Sequence, residues 1–203
     1  MSCQSPTPVS FEESMPGHRN DADRLAALVD AARGGDADAT DRLYASVRPR
    51  LLRVALALGV DPDDAADLVQ ETLWAAHRNL SRFDAGRASF EGWLGTILVR
   101  RARNRWRALA RGRRLLKAFA ASTWTSSEAG SRAVEARLTL RRLLDRLTRR
   151  QREVTALYEI DGLSAEEVAG ILGISAAGVR SLARDARRRL AEEQTRGTRE
   201  VLP

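Results

Sequence analysis

The side chains of this sequence that could do chemistry are mainly carboxylates and guanidinium groups, concentrated in two separate stretches. Five acids and no base lie between Gly59 and Thr72. Eight arginines, one lysine and no acid lie between Arg100 and Lys117. Like charges four residues apart on a helix repel each other, and DNA phosphates can offset that repulsion. The segregation therefore predicts one acidic and one basic surface, each with its own partner.

The acidic stretch raises the possibility of a metal-assisted hydrolase that acts on nucleic acid, with Asp63, Asp64 and Asp67 as ligands. These residues lie at a predicted helix start, where carboxylates interact favourably with the helix dipole in any case. No second carboxylate cluster in a comparable helix completes such a site. The two histidines, His18 and His77, are far apart, and there is a single cysteine. We therefore expect no catalytic residue, no metal site and no cofactor.

The composition favours a protein that binds a polyanion. The formal net charge is +7, from 34 Lys and Arg against 27 Asp and Glu. No apolar run approaches the roughly 18–20 residues that a membrane span requires. The N-terminus lacks the basic and then apolar pattern of a signal peptide. We expect a soluble, cytoplasmic protein without a membrane partner.

Helical periodicity runs through most of the sequence, and no stretch alternates with period two. The sequence therefore predicts an all-α fold of two small helical domains joined by a flexible linker. The predicted boundaries are a disordered N-terminal tail at residues 1–20, a first domain at 21–114, a linker at 115–133, a second domain at 134–192 and a C-terminal tail at 193–203.

The acidic stretch is predicted to form an amphipathic helix that is capped by Asp61 and has Pro62 at its first position. Its predicted buried side consists of Leu68, Val69, Leu73 and Ala76. Its polar side, at steps of three and four residues, consists of Asp63, Asp67, Gln70, Glu71, Trp74 and Arg78. An exposed tryptophan among carboxylates is typical of a hot spot for a basic protein partner. The competing interpretation is that Trp74 packs in the core.

The C-terminal part of the sequence has the start and stop signals of a helix-turn-helix. Thr148 with Gln151 and Ser164 with Glu167 match the capping box. Gly173 allows the backbone to reverse before the next helix. That next helix has a basic stripe, formed by Arg180, Arg184, Arg187 and Arg188. The pattern predicts a helix that enters the DNA major groove, and the competing interpretation is a solvated arginine face.

Together these features resemble the extracytoplasmic-function (ECF) class of bacterial RNA polymerase sigma factors. The resemblance rests on "DLVQETLWAAHR", then "GWL" at residues 92–94, and after the linker the helix-turn-helix. It implies that the two domains are sigma domains 2 and 4. It also implies a protein that binds core RNA polymerase, directs it to specific promoters and promotes strand opening at the −10 element.

The resemblance further implies roles for particular residues. The residues expected to bind the β′ clamp helices of core polymerase are Asp63, Asp67, Gln70, Glu71 and Trp74. The residues expected to bind the −10 element, including its non-template single strand, are Arg82, Phe83, Arg87, Phe90, Trp93, Arg100, Arg103, Asn104 and Arg107. The residues expected to bind the −35 element are Ser175, Ala176, Arg180, Ser181, Arg184, Arg187 and Arg188. The polymerase β flap and an anti-sigma factor are the other implied partners.

Some positions depart from the pattern of the family. Arg100 and Asn104 stand where the family usually has Asn and Asp, which makes that helix more positive. Three further departures lie in the recognition helix, the second helix of the helix-turn-helix, which is predicted to enter the major groove. Gly178 weakens this helix, Leu182 stands where the family usually has a cation, and Asp185 adds a negative charge, so we expect weak or unusual −35 recognition. The main alternative function is a stand-alone helix-turn-helix repressor or activator, which would leave the acidic helix without a role.

Overall fold

The computed structural model describes residues 16–116, 139 and 142–200. Every element within these residues is helical, which confirms the predicted all-α fold. The chain divides into two compact units, Met1–Ser46 and Val47–Pro203. This division does not coincide with the expected boundaries near residues 114 and 134, and the domain limits stay a prediction.

The first part of the chain forms long helices. They are α1 Pro16–Arg33, α2 Ala37–Ala57, α3 Pro62–Asn79 and α4 Phe90–Leu116, with a 3-10 helix at Leu80–Arg82 after α3. Residues 16–20, expected in a disordered tail, are the first turns of α1, since proline is favourable at the first position of a helix. Residues 1–15 of that predicted tail lie outside the described residues.

The C-terminal part contains shorter helices and one long one. They are α5 Arg149–Val154, which continues as a π-helix at Thr155–Ile160, then α6 Ala165–Leu172 and α7 Ala176–Glu200. Helix α7 extends eight residues beyond the predicted end of the second domain at residue 192, so most of the expected C-terminal tail is helical. At the start of the predicted second domain, residues 139 and 142–145 are helical, and residues 134–138, 140 and 141 lie outside the described residues, as do residues 117–133 of the predicted linker.

Local signals in the sequence account for the helix starts and stops. Both capping boxes are present: the Gln151 N–H donates to Thr148 Oγ1 at 3.3 Å and the Glu167 N–H donates to Ser164 Oγ at 3.2 Å, each with its reciprocal bond. Gly173 ends α6 in the left-handed region, with φ 68°. At the start of α3, however, Asp61 makes no capping hydrogen bond with its side chain, in contrast to the prediction.

Apolar residues at helical spacing form the core that positions α3 and α4. Helix α3 packs against α4. The buried residues of α3 include all four predicted ones, Leu68, Val69, Leu73 and Ala76, and those of α4 include Leu94, Leu98, Val99 and Ala102. Full burial of each large aliphatic side chain contributes about 1.5–3 kcal/mol, so the polar faces of α3 and α4 are held in a fixed arrangement. None of the helices in the described part of the chain is long and apolar enough to cross a membrane.

Candidate functional site

The polar face of α3 is exposed along its whole length. Trp74 lies on this face with 68% of its surface accessible, so the interpretation that it packs in the core is wrong. Around it the exposed residues are Asp63, Asp67, Gln70, Glu71 and Arg78. An accessible indole surrounded by carboxylates is suited to bind a basic protein surface. Within the described residues, the aspartates form no group that could hold a metal ion.

A groove of about 840 Å³ lies between the polar faces of α3 and α4. Its lining includes Asp67, Gln70, Glu71, Trp74 and Arg78 of α3 and Arg101 and Arg105 of α4. Two ion pairs cross between the helices: Arg101 Nη1 lies 3.0 Å from Glu71 Oε2, and Arg105 pairs with Asp64. The acidic and basic stretches therefore share an edge, which corrects the prediction of separate surfaces: the packing of α3 on α4 brings their side chains together.

The arginines of α4 are used in different ways. Arg100 is exposed and has no ion-pair or hydrogen-bond partner among the described residues. Arg107 contacts Asn104 and donates to the Arg103 carbonyl oxygen at 3.4 Å. Arg103, expected to face DNA, instead donates from Nε and Nη2 to the two carboxylate oxygens of Glu153, each at 2.8 Å. Of the predicted arginines of α4, Arg100 is thus the one most available to a phosphate.

Glu153 explains why Arg103 turns towards α5. Its side chain is fully buried, and a buried carboxylate is stable only with cations around it. Arg149 Nε lies at 3.1 Å and Arg150 Nη1 at 3.2 Å from its oxygens. Burial raises the pKa of Glu153, but the hydrogen bonds and charges of Arg103 and Arg149 outweigh burial and hold this pKa below its ordinary value. In the sequence, Glu153 could have been recognised as an acidic residue among the apolar residues of α5, four positions after Arg149.

The start of the loop before α4 and the first turn of α4 place three aromatic rings together. The ring centroids of Phe83 and Phe90 lie 5.3 Å apart, and that of Trp93 lies 5.3 and 5.7 Å from them. Phe83 and Phe90 are buried, whereas Trp93 is half-buried. In this conformation the two phenylalanines support the indole and are not accessible for base stacking. Their contact with DNA stays a prediction, as it does for the exposed Arg82 and Arg87.

The predicted recognition helix α7 presents its basic stripe to solvent. The arginines of the stripe, all exposed, are Arg180, Arg184, Arg187 and Arg188. Three of them pair with acids: Arg180 with Glu166 at 2.8 Å, Arg187 with Glu159 at 2.7 Å and Arg188 with Asp185 at 3.3 Å. At the helix start, the Ser175 hydroxyl accepts a hydrogen bond from the Gly178 N–H at 3.1 Å and so caps the helix. Ala176 is half-buried and Ser181 exposed; the role of this helix at the −35 element stays a prediction.

Both parts of the chain, the one with α3 and α4 and the one with the helix-turn-helix, match known protein families. Residues 43–112 match the family Sigma-70 region 2, and residues 137–190 match Sigma-70, region 4. The ECF RNA polymerase sigma factor EcfG of Rhodopseudomonas palustris is 34% identical over 154 residues, which cover 74% of this chain and 82% of EcfG. The RNA polymerase sigma factor CnrH of Cupriavidus metallidurans is 34% identical over 184 residues, covering 84% of this chain and 93% of CnrH.

Two solved structures have the same architecture. CnrH in complex with the cytosolic domain of CnrY superposes with a TM-score of 0.66 at 28% identity, covering 86% of this chain and 98% of that one. The sigma factor RpoE in complex with the anti-sigma factor NepR from Bartonella quintana gives a TM-score of 0.62 at 28% identity, with coverage of 75% and 94%. The matches to both sigma regions and to relatives over most of their length show that this chain belongs to the ECF family of RNA polymerase sigma factors, which are non-enzymatic transcription initiation factors.

Proposed function

We propose that this protein binds core RNA polymerase, directs it to specific promoters and promotes strand opening at the −10 element. The observation that carries the proposal is the exposed indole of Trp74, in the centre of a carboxylate face on a helix that packs against the arginine-rich α4. A stand-alone repressor would have no use for such a face. The protein makes and breaks no bond; binding of the opened strand supplies the free energy for melting.

The α3 face is the proposed contact with the β′ clamp helices, and the C-terminal helices are the proposed contact with the β flap. Trp74 is suited to be the hot spot because an indole buries a large apolar area with few rotatable bonds. Asp67 and Gln70 flank it, are exposed and have no ion-pair or hydrogen-bond partner in the described part of the chain. They can therefore contact a partner without first losing an internal interaction.

The proposed contacts with promoter DNA involve α4, the preceding loop and α7. Trp93 and Arg100 combine a partly accessible ring with a cation, the combination that holds single-stranded DNA. Arg82 and Arg87 add exposed charge beside them. Arg103, Phe83 and Phe90 can join this surface only after a rearrangement, because their side chains are engaged or buried. The arginine stripe of α7 would bind the phosphates and base edges of the −35 duplex.

An anti-sigma factor is a further proposed partner, since the similar RpoE structure was solved in complex with one. The exposed α3 face is a suitable surface for such an inhibitor, because covering it would prevent polymerase binding.

The proposed site of action is the cytoplasm, because promoter DNA and RNA polymerase are found there in bacteria.

The experiment combines core polymerase, the purified protein and a library of random promoter sequences. The wild type should yield RNA from a defined subset of sequences. Asp67→Lys and Trp74→Ala should each weaken polymerase binding at least about tenfold, since loss of a hot spot costs about 2 kcal/mol or more. Ala66→Lys is the control: it introduces the same lysine side chain at an exposed position of α3, turned about 100° from Asp67, and raises the net charge by one instead of two. Undiminished transcription by the Asp67 and Trp74 variants would exclude this docking surface.

A further inference from the structure

The groove between the polar faces of α3 and α4 has two ends of different charge. At one end its lining includes Asp67 and, one turn further along α3, Glu71. At the other end it includes Arg78, in the last turn of α3, and Arg82, in the 3-10 helix that follows. The carboxylates are suited to a basic protein surface, but such a surface offers no counter-charge to the arginines. The arginine end is therefore suited to an anionic ligand of its own.

The two cations at this end are free to bind a ligand. Arg78 and Arg82 are exposed, and neither guanidinium has an ion-pair or hydrogen-bond partner among the described residues. The arginines of the opposite wall, in contrast, are paired with carboxylates of α3. A guanidinium group presents five N–H donors in a planar fork that matches the oxygen atoms of a phosphate. Two such groups in one groove are suited to a chain of phosphates.

The carboxylates of the groove do not prevent a phosphate from binding at Arg78. Asp67 precedes Arg78 by eleven positions on the same helix, which is about 16 Å along the helix axis. Exposed charges are largely screened beyond about 8 Å at physiological ionic strength. Glu71 is nearer, at about 10 Å along the axis, but its Oε2 lies 3.0 Å from Arg101 Nη1. That ion pair compensates its charge.

A surface on which an aromatic base can stack lies beside these cations. Trp74 is four residues before Arg78, and side chains at this spacing are neighbours on a helix, with Cβ atoms about 5–6 Å apart. The indole is exposed, and an exposed aromatic ring holds a base by stacking. Asn79 donates from its amide nitrogen to the Ala75 carbonyl oxygen at 2.8 Å, which leaves its amide oxygen as an acceptor for the edge of a base.

We infer that this end of the groove binds a free purine nucleoside triphosphate, with its base on Trp74 and its phosphates on Arg78 and Arg82. The volume of the groove, about 840 Å³, lies within the range of about 300–1,000 Å³ that is usual for small-molecule sites. Arg82 is the one lining residue that is also proposed to bind the −10 element. The site therefore differs from the surface proposed for the opened strand.

A nucleotide at this position regulates the proposed docking on polymerase, and this consequence rests on the proposed function. The bound base covers Trp74, the proposed hot spot, so that the nucleotide and polymerase exclude each other. Two ligands that exclude each other lower each other's apparent affinity. The share of the factor that binds polymerase then falls as the nucleotide concentration rises.

The binding test uses the full-length protein and GTP with a fluorescent group on its ribose, followed by anisotropy. Unlabelled GTP should displace this probe. Guanosine has the base without the phosphates and inorganic pyrophosphate has phosphates without a base, so each should displace the probe at least about tenfold less effectively than GTP.

Substitutions locate the site on the groove. Arg78→Gln and Trp74→Ala should each weaken binding of the probe at least about tenfold, through loss of a charged hydrogen bond or of stacking. Arg24→Gln is the matched control for Arg78→Gln, because Arg24 is also exposed and has no ion-pair partner in the part of the chain that the structure describes. It changes the net charge equally and should leave binding unchanged. Circular dichroism reports whether each variant is folded.

Four results would overturn the site. The first three are no saturable binding of the probe, equal losses in Arg78→Gln and Arg24→Gln, and displacement by pyrophosphate as effective as by GTP, since each would reduce the groove to a general attraction for anions. The fourth comes from a ten-residue strand of thymidine nucleotides used as a competitor. If this strand displaces the probe more effectively than GTP, the groove binds a nucleic-acid strand and not a free nucleotide.

Core polymerase separates this inference from the proposed function. GTP should weaken binding of the wild type to core polymerase, and Arg78→Gln should need about tenfold more GTP for the same effect. Because polymerase itself binds GTP, the difference between the two proteins is the measurement that counts, and no difference would overturn the regulation. If the wild type fails to bind polymerase without GTP, the proposed function is wrong. The measurements on the free protein still decide whether the nucleotide site exists.

Discussion

At the scale of single residues, the carboxylate of Glu153 shows how one buried charge organises its surroundings. Three arginines contact it, and one of them belongs to a helix that lies far away in the sequence. Each partly exposed arginine keeps contact with water, whereas the carboxylate depends wholly on these partners. Removal of its charge should therefore affect both stability and the pH dependence of stability.

Glu153→Gln should lower the free energy of unfolding by about 1–3 kcal/mol at pH 7, the cost of a broken buried hydrogen-bond set. The pKa of Glu153 lies below its ordinary value of 4.5 in the folded protein, so the folded state binds fewer protons than the unfolded state just below that pH. The stabilisation is thus present above about pH 4.5 and is lost as the pH falls through the folded pKa. Urea unfolding of the wild type and of Glu153→Gln should be measured at several pH values from 7 downwards. The difference between their free energies of unfolding should become smaller in acid, and a difference that does not change with pH would contradict this role.

At the scale of elements, helix α6 is bounded by signals that act over a few residues. Its N-terminus is fixed by the Ser164–Glu167 capping box and its C-terminus by Gly173 in the left-handed region. A second glycine, Gly170, lies within the helix with open space around it. The two glycines therefore have opposite effects on stability.

Gly170→Ala should raise the free energy of unfolding by about 0.5–1 kcal/mol, because alanine loses less backbone entropy in a helix. Gly173→Ala should lower it by about 1–2 kcal/mol, because a side chain is strained at positive φ. Thermal unfolding of the two variants beside the wild type measures both changes. If both substitutions changed the free energy of unfolding in the same direction, the helix boundary at Gly173 would be incorrectly placed.

Local signals such as these are what could be predicted from the sequence. Both capping boxes, the Gly173 stop and the buried and exposed sides of α3 follow from residue types at fixed spacing, and all are confirmed. The pairing of Arg103 with Glu153 could not be predicted, since it depends on how α4 meets α5. The burial of Phe83 and Phe90 also comes from tertiary packing, because the loop sequence alone is compatible with exposed rings.

At the scale of the whole molecule, the placement of charge is more informative than its sum. The net charge of +7 attracts any polyanion, but many arginines already pair with carboxylates of the same chain. Arg184 on α7 and Arg24 on α1 are both exposed and have no ion-pair partner within the described residues. Only Arg184 lies on the proposed DNA-binding stripe.

Arg184→Ala and Arg24→Ala both reduce the formal net charge from +7 to +6. The affinity for duplex DNA falls as the salt concentration rises, and the slope of log affinity against log salt concentration measures this dependence. Arg184→Ala should make this slope less steep by about 0.9, because one phosphate contact is lost. Arg24→Ala should leave that slope unchanged. Fluorescence anisotropy over a range of salt concentrations measures the slopes; equal changes in both variants would mean that net charge alone drives DNA binding.

The carboxylates around the exposed Trp74 indole have a consequence when the salt content of the surroundings rises. Attraction between exposed charges is screened by salt, whereas burial of an indole is not. If the α3 face is the docking surface, concentrated salt should weaken docking by removing the carboxylate contribution and leave the contribution of the ring. Osmotic stress would then reduce the share of polymerase that this factor obtains against competitors with a less charged docking face.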